Sequence, residues 1–142
     1  RNEIDLRNIL YTSSLGLNHP IAIRYPRGKG EIIDWKQPFS KLEIGKITTL
    51  KKGTKIAVLS TGTIGNTVSK AIDSLARMGD FSHFHIGWVK PLDEEKLISI
   101  FKEHKIIITV EEDKAMQETT CMQQLRQRHT KNYKAERIMD CW

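Results

Sequence analysis

Two arginines, Arg24 and Arg27, flank Pro26 in the run I-A-I-R-Y-P-R-G-K-G that occupies residues 21–30. Residues 21–25 alternate in the manner of a short buried strand, and the proline ends it because proline has no N–H for a ladder. Two guanidinium groups at a strand end, followed by glycines, can form a fork for a phosphate or a carboxylate. On this stretch alone, two solvated arginines are the simpler interpretation.

A second candidate is the loop T-G-T-I-G at residues 61–65, which follows an apolar run and precedes a helical pattern. A loop in that position can bind an anion at the N-terminus of the helix. Its glycines are three residues apart, and no Lys-Ser or Lys-Thr pair follows, so it is neither a dinucleotide fingerprint nor a P-loop. The spacing favours a tight turn between a strand and a helix.

Histidines and carboxylates supply the remaining candidates. His83 and His85 are two residues apart, so on a strand they share a face and can ligate a metal, although no third ligand is evident nearby. A surface-facing or interface pair is the favoured interpretation. The acidic residues 111–113 follow an apolar run and can serve in acid–base catalysis or bind a cation, or simply mark where the chain reaches the surface. His104 is expected at a helix end. The chain presents no complete catalytic, cofactor-binding or metal-binding set.

The elements that position these residues begin with a helix over residues 2–14, capped by Asn2, and the strand before Pro26. Residues 31–41 have no sustained period and indicate a linker or domain boundary. We then expect strands over residues 42–50, 55–60, 84–88 and 105–110, a helix that starts at residue 66 or 67 and ends at Gly79, and a helix capped by Asp93. Such alternation implies parallel strands with right-handed crossovers. Residues 113–128 indicate at most a poor helix, and residues 132–142 one more strand or a frayed tail.

Composition limits the class of protein. The chain of 142 residues is 39% hydrophobic and 28% charged, as in ordinary soluble domains. Its net charge of +6 comes from scattered residues, so a nucleic-acid partner is not favoured. No apolar run approaches the roughly 18 residues that span a membrane, and no signal-peptide pattern is present. Cys121 and Cys141 form no metal spacing or disulfide framework, which favours a reducing cytoplasm. Because the chain starts with Arg1, we expect a fragment.

Taken together, four ordered stretches resemble the C-terminal part of the 1-deoxy-D-xylulose-5-phosphate synthases, thiamine-diphosphate enzymes of the transketolase superfamily. They are L-R-N-I-L-Y-T at residues 6–12, R-Y-P-R-G at 24–28, I-G-K with I-A-V-L-S-T-G-T at 44–63, and W-V-K-P-L-D with T-V-E-E at 88–112. Each motif is short, but their order and spacing agree with the family over about residues 3–113. R-Y-P-R-G followed by V-K-P-L-D separates this family from transketolase itself.

The resemblance implies an α/β fold in which a mostly parallel sheet, flanked by helices, forms a transketolase C-terminal domain at residues 42–142. Residues 1–41 are then the tail of a pyrimidine-binding domain, a helix plus a strand, and a linker. In the family an arginine of R-Y-P-R-G helps to hold the phosphate of glyceraldehyde 3-phosphate, which corresponds here to Arg27 or Arg24, with Arg27 preferred. The implied reaction condenses pyruvate with glyceraldehyde 3-phosphate and releases carbon dioxide, for isoprenoid, thiamine and pyridoxal biosynthesis.

By the same resemblance, the full-length enzyme is a cytoplasmic homodimer that uses thiamine diphosphate and Mg²⁺. This chain alone is expected to bind neither and to be inactive, because the family's catalytic and cofactor residues lie upstream. One departure is clear: after T-V-E-E the family has a glycine-rich turn, whereas residues 113–121 contain no glycine, so residues 114–142 are atypical. The alternatives are another transketolase-like protein, a 2-oxoacid dehydrogenase β subunit, or a stand-alone α/β interaction module.

Overall fold

The computed structural model describes residues 1–28, 30–31, 34 and 36–111, and the backbone of 138–141. The chain divides into two compact units, Arg1–Ile44 and Gly45–Trp142. Three features noted in the sequence lie outside the described residues. They are the poor helix expected over residues 113–128, the glycine-free stretch at 113–121 and the Cys121 side chain. The domain assignments made from the sequence remain predictions.

The described residues of the first unit contain one helix, α1 (Glu3–Ser14). The predicted N-cap is confirmed because the Asn2 side chain accepts from the backbone N–H of Asp5. The strand predicted for residues 21–25 is wrong, since residues 21–26 have no regular secondary structure. A strand needs a neighbour to complete its hydrogen bonds, and no other strand occurs among the described residues of this unit.

The second unit is built on a five-stranded sheet with the strand order β1-β3-β2-β4-β5. Its strands are β1 (Thr48–Lys51), β2 (Ile56–Ser60), β3 (Phe81–His85), β4 (Ile106–Val110) and β5 (Ile138–Cys141). β2 pairs in parallel with both β3 and β4, and β4 with β5, whereas β1 pairs with β3 in antiparallel fashion. The mostly parallel sheet expected from the sequence is therefore confirmed, with one antiparallel edge.

Two helices cover opposite faces of this sheet: α2 (Ile64–Asp73) and α3 (Glu94–Glu103). His83 bonds to Ser69 of α2, whereas its neighbour Ser82 bonds to His104 at the end of α3. Adjacent residues of a strand point to opposite faces, so the two helices lie on different sides. The face below α3 holds the apolar core, formed by Ala57, Leu59, Phe84, Ile86, Leu97, Ile100, Phe101 and Ile107.

Several element boundaries differ from the sequence prediction. α2 begins at Ile64 and ends at Asp73, well before Gly79, which instead lies in a short 3₁₀ turn, Met78–Asp80. The strand expected over residues 84–88 is β3, which begins at Phe81 and ends at His85 because these residues pair in register with β2. The predicted strand over residues 42–50 is reduced to β1.

Asp93 joins the start of α3 to the chain that enters the sheet. Its carboxylate accepts from the backbone N–H of Lys96 at 3.3 Å, which is the predicted helix cap, and from that of Ile47 at 3.2 Å. Lys46 Nζ lies 3.6 Å from the same carboxylate, which is buried. One side chain thus satisfies two backbone donors that are far apart in the sequence.

We expect Asp93→Ala to lower the free energy of unfolding by about 2 kcal/mol, the sum of a lost cap and an unsatisfied N–H of Ile47. Asp93→Asn keeps an acceptor oxygen and should cost less than half as much. Urea unfolding followed by circular dichroism measures both. Equal losses for the two variants would show that the charge pair with Lys46, and not the hydrogen bonds, is what matters.

Candidate functional site

The arginines singled out by the sequence lie in the first unit, on the irregular segment that replaces the predicted strand. Arg24 and Arg27 are both exposed and flank Pro26, which is exposed as well. Tyr25 between them is 70% exposed, so neither arginine is covered by its aromatic neighbour in the chain. The segment therefore presents two cations to solvent, but on a backbone that no sheet holds in place.

The loop at residues 61–65 sits at the carboxyl end of β2, beside the ends of β3 and β4. The Thr61 hydroxyl donates to the carbonyl of Ile86 at 2.8 Å, and the Thr61 N–H donates to that of Val110 at 3.3 Å. Gly62 has a φ of +76°, a value that side chains rarely permit. The loop thus ties three parallel strands together at one edge.

Two backbone donors at the start of α2 are used within the turn. The N–H of Gly65 donates to the carbonyl of Gly62 at 3.4 Å, and that of Asn66 to the carbonyl of Thr63 at 2.9 Å. An anion at a helix N-terminus needs such N–H groups to point outward. The two bonds close the tight turn that the glycine spacing favours.

His83 and His85 are not a surface-facing pair, and that expectation is wrong. His83 is fully buried and His85 is nearly so, because β3 lies between β1 and β2 and is covered by α2. His83 Nε2 lies 2.7 Å from the hydroxyl of Ser60, and its Nδ1 lies 3.0 Å from that of Ser69. The imidazole thus links β2, β3 and α2 in one buried polar chain.

His104 forms a similar link on the opposite face. It follows α3, as predicted for a helix end, but it is buried, and its Nδ1 lies 2.9 Å from the carbonyl of Ile100. A carbonyl only accepts, so Nδ1 carries the proton. The Ser82 hydroxyl lies 2.7 Å from Nε2 and also donates to the carbonyl of Gly53 at 3.1 Å. The same Ser82 oxygen accepts from the N–H of Gly53 at 2.9 Å.

Both Ser–His pairs have the distance that a nucleophile and its general base require. Ser60 and His83 have no exposed surface, however, and Ser82 is 2% exposed, so no substrate can reach either hydroxyl. We interpret both networks as structural. Sequence reasoning missed them, although two histidines and a serine beside two phenylalanines in one short strand, F-S-H-F-H, are a signal of buried polar partners.

The described residues also limit other kinds of site. No helix in the described part of the chain combines the length and the apolar character that crossing a membrane requires. Within residues 1–28, 30–31, 34 and 36–111, no three His, Cys, Asp or Glu side chains group in a way that could hold a metal ion. Glu111, at the carboxyl end of β4, is half-buried and already has an interaction partner.

Comparison with known proteins gives consistent matches. Residues 45–134 match the family model of the transketolase C-terminal domain. The chain is 48% identical over 111 residues to a 1-deoxy-D-xylulose-5-phosphate synthase of Parabacteroides distasonis, covering 78% of this chain and 18% of that protein. It is 47% identical over 114 residues to the enzyme of the same name from Cytophaga hutchinsonii, with the same coverage.

Among solved structures, a split gene transketolase described as an inactive beta4 tetramer aligns with a TM-score of 0.49 and 23% identity, over 58% of this chain and 27% of that one. The chain spans less than a fifth of the length of the curated relatives it matches. The family model covers more than half of the chain and begins where the second unit begins. The chain therefore belongs to the transketolase C-terminal domain family.

Proposed function

We propose that this chain is the C-terminal part of a 1-deoxy-D-xylulose-5-phosphate synthase, a thiamine-diphosphate-dependent transferase that condenses pyruvate with glyceraldehyde 3-phosphate and releases carbon dioxide. The observation that carries the proposal is the identity of 48% over 111 residues to a protein of that name. The ordered motifs from R-Y-P-R-G to T-V-E-E support it, because other members of the superfamily are not expected to carry that set.

The proposed enzyme is a cytoplasmic homodimer that contains thiamine diphosphate and Mg²⁺, and it serves isoprenoid, thiamine and pyridoxal biosynthesis. Among the described residues, no group of His, Cys, Asp or Glu side chains could hold the metal ion. We therefore assign no step of the reaction to the cofactor through this chain. Its residues would bind substrate and form a structural domain.

Within this proposal, Arg27 binds the phosphate of glyceraldehyde 3-phosphate, with Arg24 as the second candidate. Arginine suits a phosphate because its planar guanidinium donates two parallel hydrogen bonds. Both side chains are exposed in the described segment, which leaves them accessible to a ligand.

The coding DNA read in frame upstream of Arg1 tests the proposal directly. We expect it to encode the G-D-G…N motif for diphosphate and Mg²⁺ and a glutamate in the domain that follows. A start codon immediately before Arg1 would contradict the proposal and favour a separate α/β module. The purified chain should make no deoxyxylulose phosphate by itself, and product formation by this chain alone would also contradict it.

A chimera tests the role of the arginines. The matching C-terminal stretch of the Parabacteroides distasonis relative is replaced by this chain, and the KM for glyceraldehyde 3-phosphate is measured. We expect Arg27→Ala to raise this KM roughly tenfold, because a charge-assisted hydrogen bond to phosphate is lost, with a smaller change in kcat. Lys41→Ala, another exposed cation of the same unit, is the matched control and should leave the KM unchanged. If Arg24→Ala alone raises the KM, the assignment moves to Arg24.

A further inference from the structure

The segment that precedes the second unit is held against α1 by a series of contacts. We call residues 37–42 the strap. Asn8 Oδ1 accepts from the backbone N–H of Ser40 at 3.0 Å, and the Thr12 hydroxyl accepts from that of Leu42 at 2.9 Å. These donors are two residues apart, so in an extended chain they point to the same side.

The spacing of the acceptors matches the spacing of the donors. Asn8 and Thr12 are four residues apart on α1, which places their side chains one above the other, about 6 Å apart along the axis. Two residues of extended chain advance by about 6.6 Å. Four residues of the helix and two residues of the strap therefore advance by nearly the same distance, so both hydrogen bonds can form without distortion of either element.

Three further contacts extend this register toward the N-terminal side of the strap. Arg7 donates from Nη2 to the carbonyl of Gln37 at 3.1 Å, and its guanidinium lies 4.5 Å from the centre of the Phe39 ring. That ring stacks on Tyr11 with a centroid distance of 5.2 Å. Arg7 and Tyr11 are again four residues apart, and they form a second stripe on α1 beside that of Asn8 and Thr12.

The Thr12 hydroxyl is fully used in this arrangement. It donates to the carbonyl of Asn8 at 2.7 Å while it accepts from Leu42, and the residue is 1% exposed, the one fully buried residue of α1. Ser13 and Ser14 make the same type of bond to α1 carbonyls at 2.7 Å, but both bonds are exposed. Thr12 thus differs from Ser13 and Ser14 because its hydroxyl also accepts a hydrogen bond from the strap.

The chain is fixed again soon after the strap. Gly45 is buried with a φ of +79°, and a Cβ there would lie 2.9 Å from Pro91 Cγ. Two residues later, the N–H of Ile47 donates to Asp93. Between Leu42 and Gly45 only Glu43 and Ile44 remain, and both are exposed.

We propose that residues 37–42 are a strap that is fixed to α1 by regularly spaced side-chain contacts. The hinge between the two units is then confined to residues 43 and 44. The sequence indicates a linker over residues 31–41, and the contacts instead attach its second half to the first unit.

Residue-resolved amide exchange on the whole chain tests the proposal. The amides of Ser40 and Leu42 should exchange at least tenfold more slowly than those of residues 41 and 43, which point to the other side of the strap. Within residues 37–47, amides 43 and 44 should exchange fastest. Uniform exchange across residues 40–43 in the unmodified protein would overturn the proposal without any variant.

Variants identify the responsible side chains. Thr12→Val deletes the hydroxyl at nearly constant volume and should speed exchange at Leu42 at least fivefold, whereas Thr12→Ser should restore protection. Asn8→Ala should act in the same way on Ser40. Ser13→Ala is the matched control, since its hydroxyl bonds α1 without touching the strap. If Ser13→Ala speeds exchange at Leu42 as much as Thr12→Val does, the effect is a general loosening of the helix and the proposal fails.

Discussion

Replacing Gly53 by alanine should lower the free energy of unfolding of the second unit by about 3 kcal/mol, at the upper end of the usual cost of overpacking. A Cβ at this position would lie 2.7 Å from the backbone nitrogen of Phe81 and closer still to its carbonyl group. These are backbone atoms at the first residue of β3, which is paired on both sides, so they cannot turn away as a side chain would.

The loss is amplified by what Gly53 holds. Its N–H donates to the Ser82 hydroxyl, which is also hydrogen-bonded to His104 at the end of α3. A shift of the turn that relieves the clash would therefore leave a buried serine and a buried histidine without full hydrogen bonding, which costs additional free energy. The substitution thus affects the β1–β2 turn, β3 and α3 together.

Gly79→Ala is the matched control, because no atom lies within 4 Å of a Cβ built there and its φ is not positive. We expect a change of less than about 0.5 kcal/mol, as for an ordinary surface substitution. Thermal unfolding followed by circular dichroism compares the two variants. Similar melting temperatures for Gly53→Ala and Gly79→Ala would show that the turn can move away from β3.

His83→Leu should destabilise the second unit by about 3 kcal/mol, chiefly because it leaves the buried hydroxyl of Ser60 without its partner. Leucine fills a similar volume, so the cavity contribution is small. Ser69, the other partner, is half-buried on α2, and its hydroxyl can turn to water. The loss is therefore concentrated at the Ser60 hydroxyl.

A double-mutant cycle separates the hydrogen bond from packing. Adding Ser60→Ala to His83→Leu removes the orphaned hydroxyl and should recover at least about 1 kcal/mol, although Ser60→Ala alone destabilises. His19→Leu, at an exposed histidine of the first unit, should have little effect. If the two substitutions are simply additive in urea unfolding, the Ser60–His83 contact contributes no coupling and the prediction is wrong.

Elements whose signals are local could be predicted from the sequence. Asp93 followed by Glu94 and Glu95 marks the start of α3, and the cap is found where expected. The apolar run that forms β4 likewise predicts a strand without any other information. In both cases the residues that define the element are the ones that stabilise it, so no distant partner has to be known.

Elements that depend on partners distant in the sequence could not be predicted in this way. Residues 21–25 alternate like a strand, but alternation supplies no neighbour to pair with. The sequence gives no sign that His83 is buried, because its hydrogen-bond partners, Ser60 and Ser69, are distant in the sequence. The phosphate-binding role of Arg27 rests on the resemblance, because residues 21–26, which precede it, have no regular secondary structure that would fix its position.

The order of strands in the sheet has a consequence for synthesis on the ribosome. β1 and β2 emerge first, yet β1 pairs only with β3, and β2 pairs with β3 and β4, all of which come later in the chain. Until His85 has left the exit tunnel, neither early strand has a native neighbour. The sheet of the nascent second unit therefore cannot begin before β3 has emerged, and β3 then supplies a native neighbour to β1 and β2 alike.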